Sequence, residues 1–260
     1  MTSIPKSTVV MPTCHRPEML ALALEKLQNA KHADNPNINV RIFLDMAPDS
    51  RLEEVSWIRD RYFPSAEIFR TRERPDVPSG CWNILHSLKQ GYESEKEYIF
   101  IIEEDCLIYE NYFPWHFEAQ RSGEYFATCG RKLKHWRHNF YSNPGSCFHR
   151  DKLKLVIPHI NDRFFQDTKG YMDRYFGPSG FGILDDGLIQ RVQKASGLLV
   201  KYPDIPVVAH QGFRMYGKTE EWRAKGDTIE ERIVDLRKVL ANVDPKGRYT
   251  QDFEPYDERP

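Results

Sequence analysis

The stretch Tyr98–Phe113, YIFIIEEDCLIYENYF, decides how the chain reads. Tyr98 to Ile102 is apolar at every position, which marks a strand covered on both faces and therefore central in a mainly parallel sheet. Glu103, Glu104 and Asp105 follow at once. In open α/β sheets ligands bind beyond the carboxyl ends of the strands, so three acids fall where a site is expected. Adjacent like charges repel one another, and a hard divalent cation with oxygen ligands relieves that repulsion while bridging to a diphosphate. A solvated acidic turn is the plainer reading of such a triplet. Its position after a central strand favours the site.

The sequence before this stretch supplies the rest of such a sheet. Ser7–Met11 reads as a buried strand ended by Pro12, and a helix opens at Pro17 with Leu20, Leu24 and Leu27 on one face. Val40–Leu44 is a second strand. Ser50 and Glu53 form a capping-box pattern ahead of a helix bearing Leu52, Val55, Ile58 and Tyr62. Glu67–Arg70 is a short third strand, and a loop with Pro75, Pro78 and Gly80 leads into a helix carrying Trp82, Leu85, Leu88 and Tyr92. Strands alternating with helices mark βαβ units. After Asp105 the rhythm changes. Tyr125–Cys129 and Gly145–Phe148 are short strand candidates, and Pro158–Gly182 reads as a long loop of the kind that serves a site. A final helix is capped by Thr228 and Glu231 and apolar at Ile229, Ile233, Leu236 and Leu240. The expectation is a single α/β domain over 1–260, Rossmann-like, with a mostly parallel central sheet flanked by helices and an elaborated C-terminal half.

Composition bounds the function classes. With 260 residues, 40% hydrophobic and 13% aromatic, the chain buries a sizeable core, so disorder, collagen and coiled-coil rods are excluded. Lys and Arg number 37 against 38 Asp and Glu, a net charge of -1, so no global positive field draws polyanions. The five cysteines are an odd, widely spaced set without a CxxC pair, which argues against a disulfide framework and a structural zinc site. Reduced thiols and the lack of a long apolar run lead to the expectation of a cytoplasmic protein without a transmembrane segment.

The run IIEEDCLIYENYF resembles the metal-binding segment of GT-A glycosyltransferases, closest to the N-acetylglucosaminyltransferase I type, where a strand ends in Glu-Asp-Asp. VVMPTCHRPEMLALALEKL is similar to that superfamily's first strand, loop and helix, and SGCWNILHSLKQGY to the helix before its acidic motif. The resemblance spans roughly Thr8 to Phe113 in the family's order. It implies a nucleotide-sugar half, 1–110, an acceptor and catalytic half, 111–260, and Mn2+ or Mg2+ with a donor of the UDP-sugar kind. Asp105 would be the metal ligand, Glu104 would lie toward the ribose or donor sugar, and Glu103 toward sugar hydroxyls. The middle position is Glu rather than the usual Asp, which changes the reach toward ribose. Pro12, Thr13 and Arg16 would line the nucleotide cleft, with Asp45 near the base or ribose, and Gly80 and Asn83 on the diphosphate side. Each has a plainer alternative. Pro12 ends a strand, Arg16 pairs with a carboxylate such as Glu18, and Asp45 caps the turn Met46-Ala47-Pro48.

A second constellation is FGPSGFGILDDGLIQRVQ, residues 176–193. Gly177, Gly180 and Gly182 lead to Asp185 and Asp186, which open a helix with Leu188, Ile189, Val192 and Ala195 on its apolar side. Two acids at a helix N-terminus are also what capping and the macrodipole favour. The resemblance implies that an acid placed here serves as the base of an inverting transfer, Asp186 first and Asp185 in reserve. In Val207–Gly212, a short strand ending in His, it implies that His210 is a second metal ligand, which suits manganese. Phe213–Lys218 would be a lid, with Arg214 or Lys218 neutralising the diphosphate. The segment RKLKHWRHNFY, residues 131–141, mixes basic and aromatic side chains. It suits DNA bearing a modified base, a glycan or lipid-linked glycan acceptor, or simple solvation. Two other functions compete. A sugar nucleotidyltransferase opens with a Gly-rich loop that PTCHRPEM lacks, and a non-catalytic nucleotide-sugar binding protein shares the cleft.

Overall fold

The computed structural model describes residues 3–13, 16–131, 140–211 and 224–243. Nine strands are described: β1 Ser7–Thr13, β2 Ile38–Asp45, β3 Glu67–Thr71, β4 Tyr98–Ile101, β5 Cys106–Ile108, β6 Tyr125–Cys129, β7 Ser146–His149, β8 Leu199–Lys201 and β9 Val208–His210. The described helices are α1 Pro17–Gln28, α2 Asp49–Tyr62, α3 Ser79–Glu93, α4 Tyr112–Gln120, α5 Arg150–Leu153, α6 Asp162–Gln166, α7 Thr168–Phe176, α8 Asp185–Ser196 and α9 Ile229–Val243. Seven strands form one sheet in the order β3-β2-β1-β4-β7-β6-β8, and β5 and β9 form a second, two-stranded sheet. The strands β3, β2, β1 and β4 run parallel. Strand β7 is antiparallel to both β4 and β6. The mostly parallel α/β sheet expected from the sequence is present.

The apolar strands are explained by burial on two sides. On β1, Val9 and Met11 enter one core cluster and Val10 the other. On β4, Tyr98 and Phe100 face the first cluster, and Ile99 and Ile101 the second. Helices α1, α2, α4 and α9 supply the first cluster, and α3 and α8 much of the second. A half-exposed strand would alternate apolar and polar residues; these have no polar face to show.

Several details differ from the sequence reading. Strand β1 continues through Pro12 to Thr13, paired in register with Phe43 and Leu44. The Val10 carbonyl accepts from Ile102 N on the β4 side. Pro12, two residues on, turns the same way, past the end of β4, where its missing N–H breaks no ladder bond. Helix α2 begins at Asp49, with Pro48 preceding it and no side-chain cap, so the Ser50 capping box does not form. Pro158–Gly182 is not one loop. Asn161 accepts from Phe164 N and Asp167 from Gly170 N, and these caps open α6 and α7 within it. Ala195 is exposed, while Leu188, Ile189 and Val192 are buried as expected. The capping box at Thr228 is present: Glu231 N donates to Thr228 Oγ1 at 3.2 Å, and Thr228 N to Glu231 Oε2 at 3.1 Å. Helix α9 lies on α1, joined by Arg237 and Glu25 at 2.8 Å. Cys81, Cys106, Cys129 and Cys147 are free and buried, and Cys14 lies outside the described residues. Among the described residues, no helix is long and apolar enough to cross a membrane.

Helix α3 packs unusually close to the sheet. A Cβ at Gly91 would lie 2.9 Å from Ile99 Cγ2 and 3.0 Å from Val10 Cγ1. Gly91→Val drives its branched side chain into β1 and β4, and we expect a loss of about 1–3 kcal/mol, read as a lower urea midpoint at unchanged m-value. An unchanged midpoint would contradict this packing.

Candidate active site

The candidate site is assembled where β1, β2 and β4 end. Arg16 precedes α1, and its carbonyl accepts from Met19 N and Leu20 N. That places its guanidinium across the end of β4. Nε donates to Glu104 Oε1 at 2.8 Å and Nη1 to Asp105 Oδ2 at 2.8 Å. Arg16 therefore pairs with the acidic motif rather than with Glu18. Glu104 and Asp105 are 4% and 2% exposed, so their charges need nearby compensation. Burial by itself would push the Asp105 carboxyl up, but His210 and Arg16 beside it hold it below the usual range.

His210 arrives through the second sheet. Cys106 in β5 pairs with His210 in β9, and Gln211 N donates to the Asp105 carbonyl at 2.9 Å. This register sets His210 Nε2 3.4 Å from Asp105 Oδ1. Asp105, Cys106 and His210 each offer a ligand atom, all within 4.8 Å of one another. Asp105 Oδ1 and His210 Nδ1 are buried without a hydrogen-bond partner. A hard divalent cation suits this carboxylate and imidazole. It does not suit Cys106, whose thiol burial pushes well above its ordinary value, leaving it protonated.

Around this centre the other strand ends are held in place. Asn83 Nδ2 donates to the carbonyls of Thr13 at 3.1 Å and Phe43 at 3.0 Å, tying β1 to β2 beneath α3. Asp45, the last residue of β2, lies 3.4 Å from Arg74 Nε. After it Met46 turns with φ of 35°, a left-handed conformation uncommon outside glycine. Gly80 lies in the first turn of α3, and a Cβ there would meet nothing within 4 Å. Arg214, Lys218 and residues 132–139 lie outside the described residues.

Asp185 and Asp186 open α8. Asn143 holds both: its backbone N donates to Asp186 Oδ1 at 3.2 Å, and its side-chain amide donates to an Asp185 oxygen. Burial, then the charge of Asp185, pushes the Asp186 carboxyl up to about 7. Glu103 is pushed well above its ordinary value by burial and by the charges of Asp105, Asp185 and Asp186. The acidic motif and the α8 acids therefore share one electrostatic field. The glycine-rich approach is locked by Arg191, whose Nη1 donates to Gly182 O at 2.6 Å and Gly187 O at 3.0 Å. A Cβ on Gly187 would lie 1.9 Å from Gly182 O, so only glycine admits that loop. Asn143 was missed in the sequence. Its one signal was the turn Asn143-Pro144-Gly145, which marks a bend but not its partners.

No family model matches the chain, and no curated protein matches it by sequence. By structure the chain is similar to the mannosyltransferase PcManGT from Pyrobaculum calidifontis, in complex with GDP-Man and Mn2+. That likeness has a TM-score of 0.53 at 14% identity, over 82% of this chain and 61% of that one. It is also similar to S. aureus TarS, with a TM-score of 0.50 at 14% identity over 78% of this chain and 36% of that one. A TarS 1-349 structure in complex with UDP-GlcNAc gives a TM-score of 0.50 at 13% identity, over 78% of this chain and 57% of that one. The chain thus spans less than two thirds of each of these structures. They share with it the Rossmann-like GT-A fold of glycosyltransferases.

The raised Asp186 carboxyl has a consequence for stability. Its folded value, about 7, lies above the ordinary aspartate value of 3.8, so between these limits the native state holds a proton that the unfolded state has lost. Stability from this group therefore falls as pH rises through that window and is level above it. For Asp186→Asn we expect a Tm gain over the native chain that grows from pH 4 to pH 7, reaching at least about 2 °C at pH 8. A pH-independent difference would show that Asp186 is not buried with its neighbours' charge.

Proposed function

We propose that the chain is a metal-dependent glycosyltransferase, moving a sugar from a nucleotide diphosphate sugar to an acceptor hydroxyl by a single inverting displacement. The observation that carries this reading is the cluster of Arg16, Glu104, Asp105 and His210 at the carboxyl edge of a GT-A-type sheet. Its acidic motif is of the N-acetylglucosaminyltransferase I type in position, with Glu104 in the middle. Two of the similar structures carry the ligands this reading invokes, GDP-Man with Mn2+ in one and UDP-GlcNAc in another. Residues 1–110 take the donor in this reading and 111–260 the acceptor.

Asp105 and His210 would hold Mn2+ or Mg2+, which when bound neutralises the leaving diphosphate. Arg16 adds a fixed positive charge on the same side and orients both Glu104 and Asp105. Asp45, Thr13 and Pro12 border the nucleotide, with Arg74 holding Asp45. Gly80 leaves the mouth of the cleft open, and Asn83 fixes the strand ends that shape it. Asp186 takes the acceptor proton. A base works best when its pKa lies near the working pH, which its value of about 7 meets. Asp185 is held by the Asn143 side chain, and its charge adds to burial in raising Asp186. Arg214 and Lys218 would close over the diphosphate. The acceptor is a glycan, a lipid-linked glycan or a modified base in DNA, and the donor is of the UDP-sugar kind. A cytoplasmic setting fits the reduced thiols.

The test is a panel of nucleotide sugars with manganese, read as nucleoside diphosphate release. Release supports transfer; pyrophosphate formation, or binding without release, contradicts it. Asp105→Ala and His210→Ala should each weaken manganese-dependent nucleotide binding by about 10–100-fold. Asp186→Asn should keep donor binding and lose about 10²–10⁴ in transfer rate. Because the base must be unprotonated, the native rate should rise with pH and level off above about 7. Normal turnover in Asp186→Asn would remove this residue from the chemistry.

A further inference from the structure

Two cavities that the proposed donor chemistry does not use lie along the α6–α7 segment, the smaller of them between that segment and α3. One, of 260 Å3, is lined by Trp82, His86 and Lys89 of α3 and by Phe165. The other, of 530 Å3, is lined by His159, Arg163, Tyr171 and Tyr175. Asn161 and Asp162 line both, so the two cavities adjoin there and together make up the groove considered below. The larger lies within the roughly 300–1,000 Å3 of small-molecule sites.

Resting on the transferase reading above, we propose that this groove binds a neutral, polyhydroxylated chain: the part of a glycan acceptor beyond the residue that receives the sugar. The walls are aromatic and pre-arranged. The Trp82 and His86 rings stack at 4.3 Å and 11°. Tyr171 and Tyr175 lie 4.4 Å apart at 33°, with His159 6.1 Å from each. Tyr175 remains 49% exposed and His86 is half-buried, so these two present the accessible ring faces, backed by the buried rings of Trp82, Phe165 and Tyr171. Asn161 and His159 both bond the Tyr171 hydroxyl at 3.1 Å and fix its ring. A pyranose offers apolar C–H faces to such rings and hydroxyls to the polar groups between them. Prearranged rings lose little freedom on binding.

Charge narrows the ligand class. Lys89 and Asp162 face the smaller cavity and Asp162 and Arg163 the larger, one cation and one anion in each. Burial holds His86 and His159 below their ordinary values, so both imidazoles stay neutral at physiological pH. A polyphosphate backbone needs several cations, and the described lining residues offer one to each cavity. The groove also begins beside the reacting centre. Trp82 lies near the start of α3, which packs against α8, the helix that opens with Asp185.

The experiment titrates the full chain, without donor, with neutral linear tetrasaccharides of mannose, glucose and N-acetylglucosamine and with a DNA duplex, by NMR and calorimetry. We expect at least one saccharide to bind. Tyr175→Ala and His86→Ala should each weaken it by about tenfold, while manganese-dependent UDP binding is unchanged. Absence of saccharide binding, binding indifferent to both variants, or displacement of saccharide by the duplex would each overturn the proposal. Nucleoside diphosphate release, measured in parallel, separates this failure from that of the transferase reading. Release without saccharide binding removes the groove alone. Saccharide binding with no release from any donor removes the acceptor role along with the transferase.

Discussion

Carboxylates at the ends of buried strands are the constraint on which the rest of this structure turns. Glu104 and Asp105 sit almost wholly out of water at the tip of an apolar strand, where an unpaired charge costs several kcal/mol. Arg16 answers both at once, with one nitrogen on each. At the end of β2, one strand beyond β1, Arg74 Nε lies 3.4 Å from Asp45. The α8 acids have no such arginine partner among the described contacts, only the amide groups of Asn143. Two kinds of acid therefore share one electrostatic field: Asp105, whose carboxyl His210 and Arg16 hold below the usual range, and Asp186, whose proton is held by burial and by the charge of Asp185. Environments that push carboxyl groups apart in this way divide acid–base work from electrostatic work.

The fold exists to bring those groups together from distant parts of the chain. Strands β1, β2 and β4 end side by side because they are parallel neighbours, and Asn83 bridges two of them from above. His210, more than a hundred residues beyond Asp105, reaches it because β5 and β9 pair at Cys106 and His210. Asn143 lies in the turn before β7 and meets the first turn of α8. Each meeting depends on register. A one-residue slip of β9 would turn His210 to the opposite face.

Much of the frame was legible in the sequence because it rests on local patterns. The all-apolar run from Tyr98 identified a two-sided strand, and Thr228 with Glu231 gave the cap of α9. Local signals failed where tertiary contacts decide. Ser50 and Glu53 carry a capping-box pattern, yet α2 starts one residue earlier after Pro48. Pro12 looked like a terminator, but the strand beside it had already ended. Of the candidate site, Glu103, Glu104, Asp105, Asp185 and Asp186 stand out as adjacent acids, while the reach of Arg16 across 88 positions has no sequence signature. Asn143 and the aromatic groove of Trp82 and Tyr175 belong to the same class, since each joins segments far apart in the chain.

The central claim is that Asp105 and His210 together hold a divalent cation. Pulsed electron paramagnetic resonance of Mn2+ added with UDP tests it most directly, because an imidazole bound to manganese couples a nitrogen nucleus to the electron spin. We expect that nitrogen coupling in the native chain, its loss in His210→Ala, and a much weaker manganese complex in Asp105→Ala. Manganese that stays fully hydrated, or nitrogen coupling that persists in His210→Ala, would contradict it.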